Sequence, residues 1–176
     1  MDLSLFQRLT ASELDQYLSE IDLALEYHNR WLAAFNRALV CQDKDDIQHF
    51  DQDLLHQCYF GRWYASVDQQ AIQSESAFKH IGEVHAQLHV QARKLIDAVK
   101  FNYKLSIEQY DQFTESNKAF RQAVNDLKAT IKHDLKLIAT LMGKIFENAE
   151  EGVIITDKDA NILNVNPAFC RVTGYE

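Results

Sequence analysis

The chain has 176 residues, with 18 Lys and Arg against 26 Asp and Glu, a formal charge of −8 and 47% apolar residues. That length holds one ordinary domain and a fragment of another, and the apolar share suffices for a core. The negative balance argues against a general nucleic-acid binder and against an electrostatic membrane anchor, since both need basic surfaces.

The first predicted helix carries Leu14, Leu18, Ile21, Leu25, His28, Leu32, Phe35 and Leu39 on one seam. The steps of four and three mark an amphipathic helix that faces helical partners. Thr10 and Glu13 have the spacing of a capping box at its start, and the polar run from Gln42 to Asp46 ends it. A second, shorter segment holds Phe50, Leu54, Leu55, Tyr59, Phe60, Trp63 and Tyr64, with Gly61 inside it. It reads as a helix broken near Cys58. The third seam is Phe78, Ile81, His85, Leu88, Ala92, Leu95 and Val99.

The fourth seam is the longest: Tyr110, Phe113, Asn117, Phe120, Val124, Leu127, Ile131, Asp134, Ile138, Leu141 and Ile145, with Asn117 and Asp134 as polar members. Its heptad rhythm predicts one helix over 106–148, about 65 Å long at ~1.5 Å per residue. A compact bundle cannot cover that length, so the seam predicts a homodimer through Tyr110–Ile145, with the C-terminal half as a signalling helix. From Gly152 the pattern changes. Val153–Thr156 and Ile162–Val165 read as strands around a turn over 157–161. Asn166 and Pro167 then supply a helix cap and a first helical residue.

Only 5 glycines and 1 proline are present, and no glycine pattern matches a phosphate loop or a dinucleotide fingerprint. There is no run of 18 apolar residues and no secretory signal after Met1. The three cysteines, Cys41, Cys58 and Cys170, lack the density of a disulfide scaffold, so a reducing, cytoplasmic setting is expected.

The chemistry lies in the histidines. His28 and His85 occupy core positions of facing seams, where neutral imidazole nitrogens need partners. His85 and His89 are four apart, so a helix brings both rings to one face within reach of one metal. Cys58 is the fourth candidate. A lone core histidine or a free cysteine is ordinarily a packing residue, but three imidazoles and a thiolate together suit zinc, which takes N and S ligands tetrahedrally. His49, His56, His80 and His133 lie off the seams and read as surface residues. Four ligands close the site and no Glu follows His85, which argues against a hydrolytic metalloenzyme. A di-iron bundle would want more inward carboxylates.

The pattern His28-Asn-Arg-Trp31, Cys58-Tyr-Phe-Gly61-Arg-Trp63 and His85-x-x-x-His89, with spacings of 30, 27 and 4 residues, resembles the CZB (chemoreceptor zinc-binding) domain. Arg93, Leu95 and the stretch from Tyr110 to Phe113 belong to the same likeness. The resemblance implies an all-α, zinc-stapled antiparallel four-helix bundle whose metal ligands are His28, Cys58, His85 and His89, with Trp31 and Trp63 packing around the site. The stretch from Phe146 to Asp157, with Ile162–Phe169 and Val172–Tyr175, is similar to the start of a PAS domain, a partial α+β fragment. The expected organisation is a zinc-binding bundle over 1–135, a signalling-helix linker over 136–147 and the beginning of a PAS domain over 148–176. This implies a regulatory module, not an enzyme, with no bound organic cofactor. It would pass zinc occupancy or Cys58 oxidation through a dimeric helix to a downstream output domain, with a cyclic-di-GMP enzyme the first expectation. A purely structural zinc site in a dimerisation module is the rival.

Overall fold

In the computed structural model the described residues are 9–42, 47, 50, 58–67, 70–73 and 75–175. They form two units, Met1–Lys132 and His133–Glu176. Helix α1 is Ala11–Cys41. Thr10 caps it as a complete capping box: the Glu13 amide donates to the Thr10 hydroxyl, and the Thr10 amide donates back to the Glu13 carboxylate. At the other end Gln42 turns left-handed with φ 52° and its N–H bonds back to α1. Residues 43–46, Leu54, Leu55, His49 and His56 lie outside the described residues.

Helix α2, Tyr59–Ser66, has only 8 residues, and α3, Gln70–Gln73, only 4. The second apolar segment does break near Cys58, because Cys58 itself is the N-cap of α2. Helix α4 is Ser76–Lys100 and buries every member of its predicted seam, from Phe78 to Val99. Helices α2 and α4 pack closely where Tyr64 stacks on Phe78 at 4.4 Å between ring centres. Gly82 allows this approach, since a Cβ there would collide with the Tyr64 ring.

Helix α5, Ile107–Asn148, is continuous over 42 residues, as the heptad pattern predicts. It runs antiparallel to α1. Phe113 packs on Phe35, Phe120 on His28, and Lys128 pairs with Asp22, so one number falls as the other rises. Its seam is buried from Phe113 to Ile131, apart from half-buried Asn117, and Asp134 is buried as well. The seam from Phe113 to Ile131 is therefore covered within the chain, while its C-terminal end, expected to project, is open. Leu141 is 39% and Ile145 61% exposed. The core of the first unit lies between α1, α2, α4 and α5, and its aromatic rings cluster around the level of His28 and His85.

In the second unit, strand β1 (Ile154–Thr156) pairs antiparallel with β2 (Ile162–Val165). The Asp157 carboxylate organises the turn between them by accepting the amides of Asp159 and Asn161 at 2.9 Å each. Helix α6 is Pro167–Thr173 and is capped by Asn166. No described helix is long and apolar enough to cross a membrane.

Candidate metal centre

Cys58 is the N-cap of α2, with extended backbone angles of its own, and its side chain is buried in the core. Its Sγ accepts the Gly61 N–H at 3.1 Å and its carbonyl accepts the Arg62 N–H at 3.1 Å. Ser, Thr, Asp or Asn would cap this helix better, because sulfur is a weak acceptor. A local rule broken in this way marks a position held for another purpose. The same sulfur lies 3.3 Å from His85 Nε2.

His85 and His89 stand one turn apart on α4, with their Nε2 atoms 3.1 Å from each other. His28, on α1, places its ring centre 5.3 Å from that of His85 and 6.0 Å from that of His89. The four side chains each offer one ligand atom, and all four atoms lie within 4.8 Å of one another. Exposure is 0% for His28, 4% for Cys58, 2% for His85 and 4% for His89. The walls are aromatic. Trp31 packs on His28 and His89, while Phe60 and Phe120 pack on His28 and His85. Trp63 sits further out, against Phe60 and Phe78, with its indole N–H donating to Glu20 at 3.3 Å.

Burial sets the protonation of these groups. Desolvation holds His28 down to about 3, aided by the charge of His89. It lowers His85 to about 2, aided by His89 and then His28. It lowers His89 to about 4. All three are therefore neutral donors at neutral pH. Burial pushes the Cys58 thiol up to about 11, against the pull of the Gly61 and Phe60 amides and the Arg62 guanidinium.

One hydrogen bond between His85 and His89 cannot satisfy this cluster. Both nitrogens of His28 and Nδ1 of His89 are buried without a partner. Such orphans are rare in folded proteins and each costs roughly 1–3 kcal/mol. A cation among the four donors answers the shortage. Zn²⁺ bonds of ~2.0–2.1 Å to N and ~2.3 Å to S put tetrahedral ligand atoms about 3.3–3.6 Å apart, against 3.1 Å for His85 to His89, 3.3 Å for Cys58 to His85 and no more than 4.8 Å across the set. The donor set fits the ion.

Residues 28–96 match the family model of the chemoreceptor zinc-binding domain. That match begins at His28 and runs past His89. Residues 140–176 match a PAS domain model. Diguanylate cyclase DgcZ of Escherichia coli (strain K12) is 24% identical over 136 residues, which is 76% of this chain and 46% of that protein. The sensor histidine kinase TmoS of Ectopseudomonas mendocina is 52% identical over 31 residues, 18% of this chain and 3% of that protein. The chain thus spans under half the length of these curated relatives. The solved regulatory CZB domain of DgcZ shares the fold, with a TM-score of 0.57 and 24% identity over 67% of this chain and 98% of that one. The chain thus matches a chemoreceptor zinc-binding domain model and, after it, a PAS domain model.

The structure brings together all four residues singled out from the sequence. Among the remaining histidines, His80 is exposed beside Glu83 at 3.6 Å and His133 is exposed. Phe60 and Phe120 were not read as site residues. Phe120 carried a signal, its place in the α5 seam. Phe60 carried only its position two residues after Cys58.

Proposed function

We propose that this chain is the zinc-binding regulatory part of a larger cytoplasmic signalling protein. Residues 1–135 form the sensing bundle, 136–147 the signalling helix and 148–176 the start of a PAS domain. His28, Cys58, His85 and His89 would hold one zinc ion per chain, which would tie α1, the start of α2 and α4 together. The observation that carries this reading is a buried set of three imidazoles and one thiol with unpartnered nitrogens. The likeness to a diguanylate cyclase supports a cyclic-di-GMP enzyme as the downstream output. Two chains would associate through α5 and deliver the state of the bundle to paired PAS domains.

Cys58 is the member of the set open to oxidation. A thiolate there would attack the chlorine of hypochlorous acid, forming an S–Cl bond as the O–Cl bond breaks and hydroxide leaves. Hydrolysis of the resulting sulfenyl chloride would leave a sulfenic acid and release chloride and a proton. The sulfur would then no longer serve as a thiolate donor, and the cap of α2 would weaken with it. A purely structural site is the second reading, favoured by the 4% exposure of Cys58.

Metal analysis of the purified wild type is expected to give one zinc per chain, and His85→Ala much less. Full occupancy in that variant would sink the ligand assignment. One equivalent of hypochlorous acid, followed by mass spectrometry, separates the two readings. Modification at Cys58 supports sensing. Modification confined to Met1, Met142, Cys41 or Cys170 leaves the structural reading.

A further inference from the structure

A polar residue interrupts the middle of the α5 seam. Asn117 lies between Phe113 and Phe120, and its Oδ1 is buried with no hydrogen-bond partner. An unpaired acceptor there costs roughly 1–3 kcal/mol, and a Leu at the same heptad position would avoid the cost. The matching defect lies on α4. His89 turns Nε2 toward His85, and its Nδ1 is a buried nitrogen that also has no partner.

The ring contacts around them set these two defects at one level of the bundle. Helices α4 and α5 are joined by the short connection 101–106 and run antiparallel, with His85 against Phe120 at 5.1 Å between ring centres. One turn further along α4 is His89, and one turn back along α5 falls at 116–117. The α1 side agrees. His89 packs on Trp31, Trp31 stacks on Phe35, and Phe35 packs on Phe113. The level of His89 therefore falls between Phe113 and Phe120, where Asn117 stands.

We infer that Asn117 is a positioning residue for the metal centre: its Oδ1 accepts the Nδ1–H of His89, directly or through one water, and so presents His89 Nε2 to the ion. A ligating imidazole donates its second nitrogen to an acceptor of this kind, which fixes its tautomer and ring orientation. The amide oxygen has the required chemistry, since it only accepts, and His89 with Nε2 as ligand must carry its proton on Nδ1. The inference rests on the zinc reading above and adds a residue from α5, which the four ligands do not include. It links zinc occupancy to the helix that continues into the PAS segment.

Zinc affinity by chelator competition, on the full chain, is the test. Asn117→Leu should bind zinc about 10–100-fold more weakly than wild type, the usual cost of losing such a partner. Asn117→Asp keeps an acceptor and should bind at least as tightly as wild type. In zinc-loaded wild type, nitrogen NMR should find His89 as the Nδ1–H tautomer with a slowly exchanging proton. Wild-type affinity in Asn117→Leu, or the Nε2–H tautomer at His89, would overturn this inference alone. A wild type that takes up no zinc would overturn the reading beneath it. If Asn117→Leu does not fold, the Asn117→Asp affinity and the wild-type tautomer still decide.

Discussion

At the scale of single residues, the donors differ in how ready they are to bind a cation. His28, His85 and His89 are lowered to about 3, 2 and 4, so at pH 7 none has a proton to expel. Cys58, raised to about 11, does. A ligating sulfur must be a thiolate. Zinc uptake at pH 7 should therefore release close to one proton per ion, and that proton should come from Cys58. Calorimetric titration in buffers of different ionisation enthalpy gives the number, and a value near two or more would contradict it. Acid works in the opposite direction. In the metal-free fold each histidine sits below its ordinary 6.5, so as pH falls the unfolded chain takes up protons first. Stability is complete above about 6.5 and is lost as pH falls toward 4 and below. A melting temperature of the metal-free protein that rises between pH 7 and pH 5 would refute this.

At the scale of elements, each unit has its own means of holding a helix end. In the first, Cys58 is at once cap and candidate ligand. In the second, Asn166 is fully buried and uses its whole amide. Its Oδ1 accepts the amides of Val153 at 2.8 Å and Phe169 at 3.0 Å, and its Nδ2 donates to the carbonyls of Phe146 at 3.1 Å and Glu151 at 2.9 Å. This one side chain joins the last turn of α5, the segment before β1 and the first turn of α6. Asn166→Ala strands several buried groups, and a loss of about 1–3 kcal/mol or more in that unit is expected. Hydrogen exchange on the full chain should show faster opening of 146–173, with zinc affinity unchanged. Faster exchange in α1 and α4 would mean that the units do not separate as described. The long helices and both strands were legible in the sequence because their periods persist, or because turn residues bracket them. Helix α2 was legible only as the part of an apolar segment that follows a break near Cys58, and α3 was not, since 4 residues are too few to show a period. His28 and His85 stood out as polar members of apolar seams. His89 lies off the regular seam and was visible only through its distance from His85. The aromatic walls from Phe60 and Phe120 depend on which helices meet, and no local pattern records that.

At the scale of the whole molecule, the open question is what covers the end of the α5 seam. From Phe113 to Ile131 the helix spends its apolar face on its own bundle, so a second chain is not needed there. Beyond that the rhythm of the sequence continues while the burial does not. Ile138 is half-buried, and Leu141, Met142 and Ile145 are exposed at 39%, 58% and 61%. Heptad periodicity kept where the chain itself does not use it is what a coiled-coil partner requires. A second copy is the simplest partner, because it brings the same seam, and a parallel pairing would set two PAS segments side by side. The net charge of −8 opposes association, so raised salt should favour the dimer slightly by screening. Light scattering at micromolar concentration is expected to give twice the chain mass. Replacing Leu141 and Ile145 together by Lys should give a monomer, because four like charges would then face one another along the seam. That variant should still take up zinc, since Leu141 and Ile145 lie far along α5 from Phe120, the α5 residue that packs against the candidate ligands. A monomeric wild type would remove the dimer from the proposal. A doubly substituted chain that stays dimeric would move the interface to another face.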